Sequence, residues 1–320
     1  MIKKRWSVAI ALVIGVLASS FFFRSSVTQS TSTAATPTTG AAPWFAPYAY
    51  TGLAMPSFPS RHVVLSFITG NGCTPTWNGT PLASATTVNT RITQAQAIGD
   101  EVIASFGGES GPDLAVSCTN PTQLAASYQT VISRYGLKTI DLDVESAALD
   151  PTAGARRAQA IATVQKATHV AVWLTLAVAP TGLLPNSLAV VKQMMAAGVT
   201  VSGVNVMAFD YGPLAAGQTE LSVSESAVSD TESQIAPLGL SWSELGATIM
   251  VGNTDTTGQQ WSLAAAQSFW SFAYGHRLGR LSEWSLNRDQ QCSGTQPQPS
   301  NSCSGVTQQA EQFSHILGNN

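Results

Sequence analysis

The sequence has few charged residues and few of the side chains that bind metals. Only 10% of its 320 residues are Asp, Glu, Lys or Arg, and the formal net charge is -3. No basic cluster follows the extreme N-terminus, which argues against a nucleic-acid partner, because phosphate binding needs a concentrated Lys/Arg surface. The sequence has only 4 histidines and no C-x-x-C or H-x-x-x-H spacing, which argues against a structural zinc site. We therefore expect neither a metal nor a cofactor.

Cysteine is also scarce. The 4 cysteines are Cys73, Cys118, Cys292 and Cys303. In an exported protein an even number favours two disulfides, for which three pairings are possible. We favour Cys73–Cys118 and Cys292–Cys303. The second of these pairs closes a short loop that is rich in Ser, Gln and Pro.

The N-terminal segment, residues 1–23, has the pattern of an export signal. The basic stretch MIKKRW precedes an apolar run from Ser7 to Phe23. This run is long for a cleaved signal and barely long enough to span a bilayer, so a cleaved signal and a retained membrane anchor both stay open, with cleavage favoured. Either form predicts a secreted, extracellular or periplasmic protein whose only membrane contact is this anchor.

The next segment, residues 24–42, is rich in Ser and Thr and has almost no large apolar side chains. Such a segment cannot bury enough surface to offset the entropy lost on ordering, so we predict a flexible linker. Residues 43–320 then remain for the folded part, which is long enough for one large α/β domain. We expect this domain to be monomeric.

Short apolar runs alternate with helix-like segments throughout the folded part. Eight of these runs are rich in Val, Ile, Leu and Phe, as is typical of parallel strands that are buried on both faces. They cover residues 44–50, 62–68, 101–108, 139–145, 170–179, 201–211, 247–253 and 280–286. Eight strand and helix units predict a closed (β/α)8 TIM barrel in a single domain, and an open doubly wound sheet is the alternative.

One strand candidate carries three acids. In KTIDLDVESA, residues 138–147, the acids alternate with apolar residues. Because side chains alternate faces along a strand, Asp141, Asp143 and Glu145 point one way and the apolar residues point the other. Inside a barrel the acids would be stepped by roughly 6–7 Å per two residues toward the C-terminal rim. Buried carboxylates repel one another and lose hydration, so at least one is expected to keep its proton near neutral pH.

Glu145 lies nearest the predicted rim, so it is the candidate general acid. Asp143, one layer deeper, would orient a bound group, and Asp141 would share a proton with Asp143. A solvated edge strand and a Mg²⁺ or Ca²⁺ site are the alternatives. The apolar opposite face argues against an edge strand, and three acids stacked down one strand converge poorly on one ion.

The segment DLDVE resembles the D-x-D-x-E signature of glycoside hydrolase family 18, the chitinases. Four further segments resemble blocks of that family, in the same order along the chain. They are ASFGG (104–108), VNVMAFDYG (204–212), IMVGNTD (249–255) and SEWSLNRDQQC (282–292). The last two are similar to a branch of bacterial and archaeal catalytic domains that lacks a small insertion domain.

This resemblance implies that residues 43–320 form the catalytic domain of a chitinase with a substrate-assisted, retaining mechanism. Glu145 would protonate the leaving oxygen and then activate water, and Asp143 would hold the 2-acetamido group that attacks the anomeric carbon. Tyr211 would donate to the acetamido carbonyl, because Phe209 stands where the family commonly has tyrosine. The substrate-binding residues that the resemblance implies are Met207, Asp210, Asp255 and Trp284.

The implied partners are chitin and N-acetylglucosamine oligosaccharides. The chain between Asp255 and Trp284 has room for one helix and no insertion domain, which predicts an open groove and endo-type cleavage. Two other functions stay open. An endo-β-N-acetylglucosaminidase that acts on other N-acetylated glycans carries the same signature. A chitin-binding protein without turnover is the alternative from another class, because Phe209 and Val144 depart from the family pattern.

Overall fold

The computed structural model of the protein describes residues 42–294, 296 and 299–319. The predicted export signal, 1–23, lies outside the described residues, as does all but the last residue of the predicted linker, 24–42. In the part of the chain that the structure describes, no helix has both the length and the hydropathy needed to cross a membrane.

Eight parallel strand positions form the centre of the fold. They are β1, split into Trp44–Phe45 and Tyr48–Tyr50, β2 (His62–Asn71), β3 (Glu101–Gly107), β4 (Thr139–Asp143), β5 (Ala171–Ala179), β6 (Val201–Met207), β7 (Leu245–Met250) and β8 (Arg280–Trp284). Each strand pairs in parallel with the next one. The first part of β1 pairs with β8, and the second part pairs with β2, which closes the ring. The predicted TIM barrel is therefore confirmed.

Helices follow the barrel strands. They are α1 (Thr86–Ala97), α2 (Leu114–Ser117), α3 (Pro121–Tyr135), α4 (Pro151–Thr168), α5 (Pro185–Ala196), α6 (Glu220–Ile235), α7 (Leu263–His276) and α8 (Gln312–Gly318). Residues 51–61, all of which are described, connect β1 to β2 without a helix. Three 3-10 helices lie in the loops, at Ser146–Leu149, Ala236–Leu238 and Trp242–Glu244.

The apolar residues of β4 and of the position directly after it face the core that the barrel shares with its helices. Ile140, Leu142 and Val144 are at most 1% exposed and belong to one large hydrophobic cluster. Burial of three such side chains stabilises the fold by roughly 1.5–3 kcal/mol each. The alternation of apolar and acidic residues therefore leaves the acids on the inner face of the barrel, as the sequence predicts.

Five strands end earlier than predicted, and the ends of β4 and β6 affect the candidate site residues. β4 ends at Asp143, although the chain remains extended through Glu145, at φ −129° and ψ 164°. β6 ends at Met207, four residues before the predicted end at 211. Asp210 has a φ of 57°, in the left-handed region, and this turns the chain away from the strand direction.

Both favoured disulfides are present. Cys73 pairs with Cys118, and Cys292 pairs with Cys303. The first bond joins the chain that leaves β2 to the end of α2.

Between β7 and β8, residues 251–279 are all described and form only a short hairpin, Gly252–Asn253 with Gln260–Trp261, and α7. The predicted lack of an insertion domain at this position is confirmed.

Candidate active site

Asp141 lies at the centre of a buried polar cluster inside the barrel. Its Oδ2 accepts hydrogen bonds from Ser105 Oγ at 2.8 Å and Tyr48 OH at 3.0 Å. Its Oδ1 accepts from Thr175 Oγ1 at 2.7 Å and forms an ion pair with Arg280 at 3.2 Å. These four donors satisfy both oxygens, which compensates for the loss of hydration on burial. Asp141 therefore supports the site from below and has no oxygen free for a ligand.

Arg280 was not predicted from the sequence. Its guanidinium lies 5.4 Å from the ring centroids of Trp44 and Trp173 and 5.5 Å from that of Tyr48. Cation–π contacts of this kind add to the ion pair with Asp141 in holding the charge inside the barrel. The one available signal was a charged residue at the start of a predicted barrel strand.

Asp143 and Glu145 lie above Asp141, close enough together that each carboxyl group affects the pKa of the other. Burial, and then the charges of Glu145 and Asp141, raise the pKa of Asp143 well above its usual value. Burial also raises the pKa of Glu145 to about 7, and the charge of Glu109 adds to this rise. The pair therefore holds a proton near neutral pH.

This arrangement differs from the predicted sharing of a proton between Asp141 and Asp143. Four donors already occupy the oxygens of Asp141, and the carboxyl groups with a raised pKa are those of Asp143 and Glu145, one layer nearer the rim. The Oδ1 atom of Asp143 is buried and has no hydrogen-bond partner among the described residues. This oxygen is therefore available to accept a hydrogen bond from a ligand.

Asp143 and Glu145 line a cavity of about 320 Å³ beyond the C-terminal ends of the strands. The structure also brings the four predicted substrate-binding residues to this cavity. These residues are Met207, Asp210, Asp255 and Trp284. A proton-sharing acid pair at the base of a pocket can transfer a proton to a bound molecule and take one back.

Aromatic rings form one side of the cavity. Trp284 stacks on Phe67, with ring centroids 5.5 Å apart and an interplanar angle of 19°. Tyr48 and Tyr50 are tilted against Trp284, each at 6.0 Å. Phe67 and the two tyrosines were not predicted. Their apolar ring faces, next to the acid pair, suit a ligand that has both C–H and polar surfaces.

The segment with Ser105, Gly107 and Gly108 has the structural role that its small residues suggest. Gly107 has a φ of 108°, and a Cβ there would lie 2.1 Å from the carbonyl oxygen of Asp143. Gly108 has a φ of 80°, and a Cβ there would lie 2.7 Å from the ring of Phe67. Both glycines thus allow β3 and its loop to approach the catalytic candidates closely.

The structure places the Tyr211 side chain against α6, where its hydroxyl donates to Ser224 Oγ at 3.1 Å. Ser224 donates in turn to the carbonyl oxygen of Ala208 at 3.0 Å. The left-handed turn at Asp210 directs the chain toward α6, and Phe209 lines the cavity instead. Tyr211 is therefore not among the residues that line the cavity, and its role as a donor to the ligand stays a prediction.

Polar residues from the loops after β6, β7 and β8 meet at the rim. Asp210 Oδ1 accepts from the backbone N–H of Thr256 at 2.9 Å. Asp255 is 66% exposed, and its Oδ1 lies 3.9 Å from Nη1 of the buried Arg288. Burial, and then the charge of Asp210, raise the pKa of Asp255. These carboxylates offer hydrogen-bond acceptors to a polar ligand.

Within the described residues, no group of three or more His, Cys, Asp or Glu could hold a metal ion.

Two curated proteins are similar to the chain in sequence. A probable bifunctional chitinase/lysozyme of Escherichia coli (strain K12) is 30% identical over 251 residues, which cover 72% of this chain and 28% of that protein. Endochitinase 11 of Metarhizium anisopliae is 31% identical over 218 residues, which cover 62% of this chain and 42% of that protein. The chain spans less than half the length of either relative. No protein-family model matches the chain.

Solved structures share the fold. The catalytic domain of a hyperthermophilic chitinase from Pyrococcus furiosus superposes with a TM-score of 0.76 at 27% identity, over 89% of this chain and 97% of that one. Catalytic-site mutants of active domain 2 of the Pyrococcus furiosus chitinase, complexed with chito-oligosaccharides, give 0.77 at 26% identity, over the same 89% and 97%. A GH18 chitinase from Pseudoalteromonas aurantia gives 0.56 at 17% identity, over 76% and 94%, which shows the common fold.

Proposed function

Because this chain is a homologue of chitinases and has the fold of the family 18 glycoside hydrolases, we propose that it hydrolyses β-1,4-linked N-acetylglucosamine chains. The observation that carries this proposal is the pair of the buried Asp143 and the half-buried Glu145, which line an aromatic-sided cavity and both have a raised pKa. A protonated carboxyl group near neutral pH is what protonation of a glycosidic oxygen requires.

The proposed mechanism is substrate-assisted and retains the anomeric configuration. Glu145 donates its proton to the leaving glycosidic oxygen while the carbonyl oxygen of the 2-acetamido group attacks the anomeric carbon. Glu145 then accepts a proton from the water that opens the cyclic intermediate. Asp143 accepts a hydrogen bond from the acetamido N–H, a role supported by its buried Oδ1, which has no partner among the described residues.

The walls of the cavity fit an N-acetylated sugar. Trp284 would form the apolar floor under the C–H face of the reacting ring, with Phe67 stacked behind it. Met207 would contact the same sugar, and Asp210 and Asp255 would accept hydrogen bonds from its hydroxyl groups.

We further propose that cleavage is endo-type, because residues 251–279 form no domain that would close the groove. The protein is proposed to act outside the cytoplasm as a monomer, either secreted or held by an N-terminal anchor. The two disulfides support export, because such bonds persist mainly in oxidising compartments.

The test is hydrolysis of N-acetylglucosamine tetramer and hexamer by the purified protein, alongside Glu145→Gln. The proposal expects dimers and trimers from the parent protein and no products from the variant. Release of dimers from one chain end only would contradict the endo mode. Binding without release by either protein would favour a chitin-binding protein, and neither binding nor release would redirect the search to other N-acetylated glycans.

A further inference from the structure

Asn301 lines the same cavity as Asp143 and Glu145, although it comes from a loop beyond the barrel. It lies on the C-terminal arm of the loop that the Cys292–Cys303 disulfide closes. Its side chain is exposed and has no hydrogen bond to another described residue. An amide offers both a donor and acceptors, which matches the hydroxyl and acetamido groups of a sugar. Asn301 thus presents free hydrogen-bonding groups at the edge of the cavity.

The arm that carries Asn301 is braced against the barrel. The N–H of Ser304 donates to the carbonyl oxygen of Gln290 at 2.9 Å, and its carbonyl oxygen accepts from the N–H of Asn253 at 2.8 Å. The side-chain amide of Gln290 donates to the carbonyl oxygen of Ser302 at 2.9 Å. A Cβ on Gly252 would lie 2.0 Å from the Ser304 carbonyl oxygen, so the two backbones are in direct contact. Together with the disulfide, these contacts fix the position of the arm.

Asn301 is separate from the groups that surround the acid pair. The cavity residues nearest the proposed reaction come from the strands or from the residues directly after them, as Glu145 follows β4 and Trp284 ends β8. A sugar that reaches Asn301 is therefore expected to be one bound next to the reacting sugar.

We propose that Asn301 is a specificity-determining residue, held in place by the Cys292–Cys303 disulfide, that hydrogen-bonds a neighbouring sugar of a longer N-acetylglucosamine chain. This inference rests on the proposed function and adds to it a preference for chain length. A preorganised side chain binds at a lower entropic cost than a mobile one, which gives the disulfide a role in substrate selection.

The first test compares Asn301→Ala with the parent protein on two substrates, the hexamer and a chromogenic glycoside of the dimer. The loss of one hydrogen bond is expected to lower the ratio of the two kcat/KM values, hexamer over dimer glycoside, by roughly three- to tenfold. Ser302→Ala is the matched control, because Ser302 is exposed on the same arm and does not line the cavity. An unchanged ratio in Asn301→Ala, or an equal change in both variants, would overturn the proposal.

The second test removes the brace with the double variant Cys292→Ser/Cys303→Ser. We expect the same fall in the hexamer-to-dimer ratio, with a circular dichroism spectrum that matches the parent. A folded double variant with an unchanged ratio would contradict the role of the disulfide. If the double variant does not fold, Asn301→Ala alone decides the proposal. If the parent protein cleaves neither substrate, the proposed function itself fails, which is distinct from either result.

Discussion

The Oδ1 atom of Asp141 lies 3.2 Å from Nη1 of Arg280, and neither side chain has any solvent exposure. This ion pair links β4 to β8 across the interior of the barrel. Directly above it, on the same strands, lie Asp143 and Trp284, which line the cavity. The ion pair therefore helps to fix the positions of Asp143 and Trp284, the two side chains above it that are proposed to act on the substrate.

Arg280→Met is expected to destabilise the protein strongly. It leaves the carboxylate of Asp141 buried without its charge partner, and breaking a buried pair in this way costs about 3–5 kcal/mol. Urea unfolding measures the loss in the free energy of unfolding. Arg61→Met is the matched control, because Arg61 is exposed, and it should change stability by less than about 0.5 kcal/mol. Equal effects of the two variants would show that the ion pair has no such structural role.

The hydrolysis rate is expected to fall as the pH rises through about 7, where Glu145 loses its proton. The charge of Glu109 contributes to the raised pKa of Glu145, so Glu109→Gln should lower that pKa. The falling limb of the pH–rate profile would then move to lower pH. The profile of kcat/KM between about pH 5 and pH 9 measures this. A limb that does not move would exclude Glu109 as a source of the shift. Glu232→Gln serves as the control, because Glu232 is a half-buried residue of α6 that does not line the cavity.

Residues with a local sequence pattern were placed correctly from the sequence. Asp141, Asp143 and Glu145 could be assigned to the inner face because strand periodicity alone decides which way a side chain points. Their partners could not be assigned in this way. The contact between Asp141 and Arg280 joins positions 139 apart in the chain, and no local pattern encodes such a pairing.

The positions of other cavity residues could not be predicted from the sequence, because they depend on backbone turns and on the positions of loops. Tyr211 was assigned to the site because Phe209 stands where the family commonly has tyrosine, and the sequence does not reveal that Asp210 adopts a left-handed conformation. Phe67 and Asn301 lack any motif of their own. They reach the cavity only because the closure of the barrel and a disulfide bring distant segments together.

Asp143→Asn is expected to reduce turnover far more than oligosaccharide binding. Its role is to stabilise the acetamido group as charge develops, so kcat should fall by roughly two to three orders of magnitude. Asp255→Asn is the matched control, because this exposed carboxylate should contribute mainly to binding and therefore to KM. Steady-state kinetics and calorimetric binding of the tetramer separate the two effects. Equal losses in kcat and in affinity for Asp143→Asn would mean that Asp143 is mainly structural.

Gly107→Ala is expected to damage the site through the backbone. The new Cβ would lie 2.1 Å from the carbonyl oxygen of Asp143, so β3 and β4 must separate where the proton-sharing pair begins. Gly198→Ala is the matched control, because Gly198 also has a positive φ, at 86°, but has nothing within 4 Å of an added Cβ.

Both substitutions carry the backbone penalty of a positive φ, roughly 1 kcal/mol. Only Gly107→Ala adds the collision, so it should lower the melting temperature further and reduce kcat even at temperatures where it remains folded. Thermal unfolding followed by circular dichroism and tetramer hydrolysis at 25 °C would measure the two effects. If the two variants lose equal stability and both keep the parent turnover, the close contact between Gly107 and Asp143 is not what fixes the geometry of the acid pair.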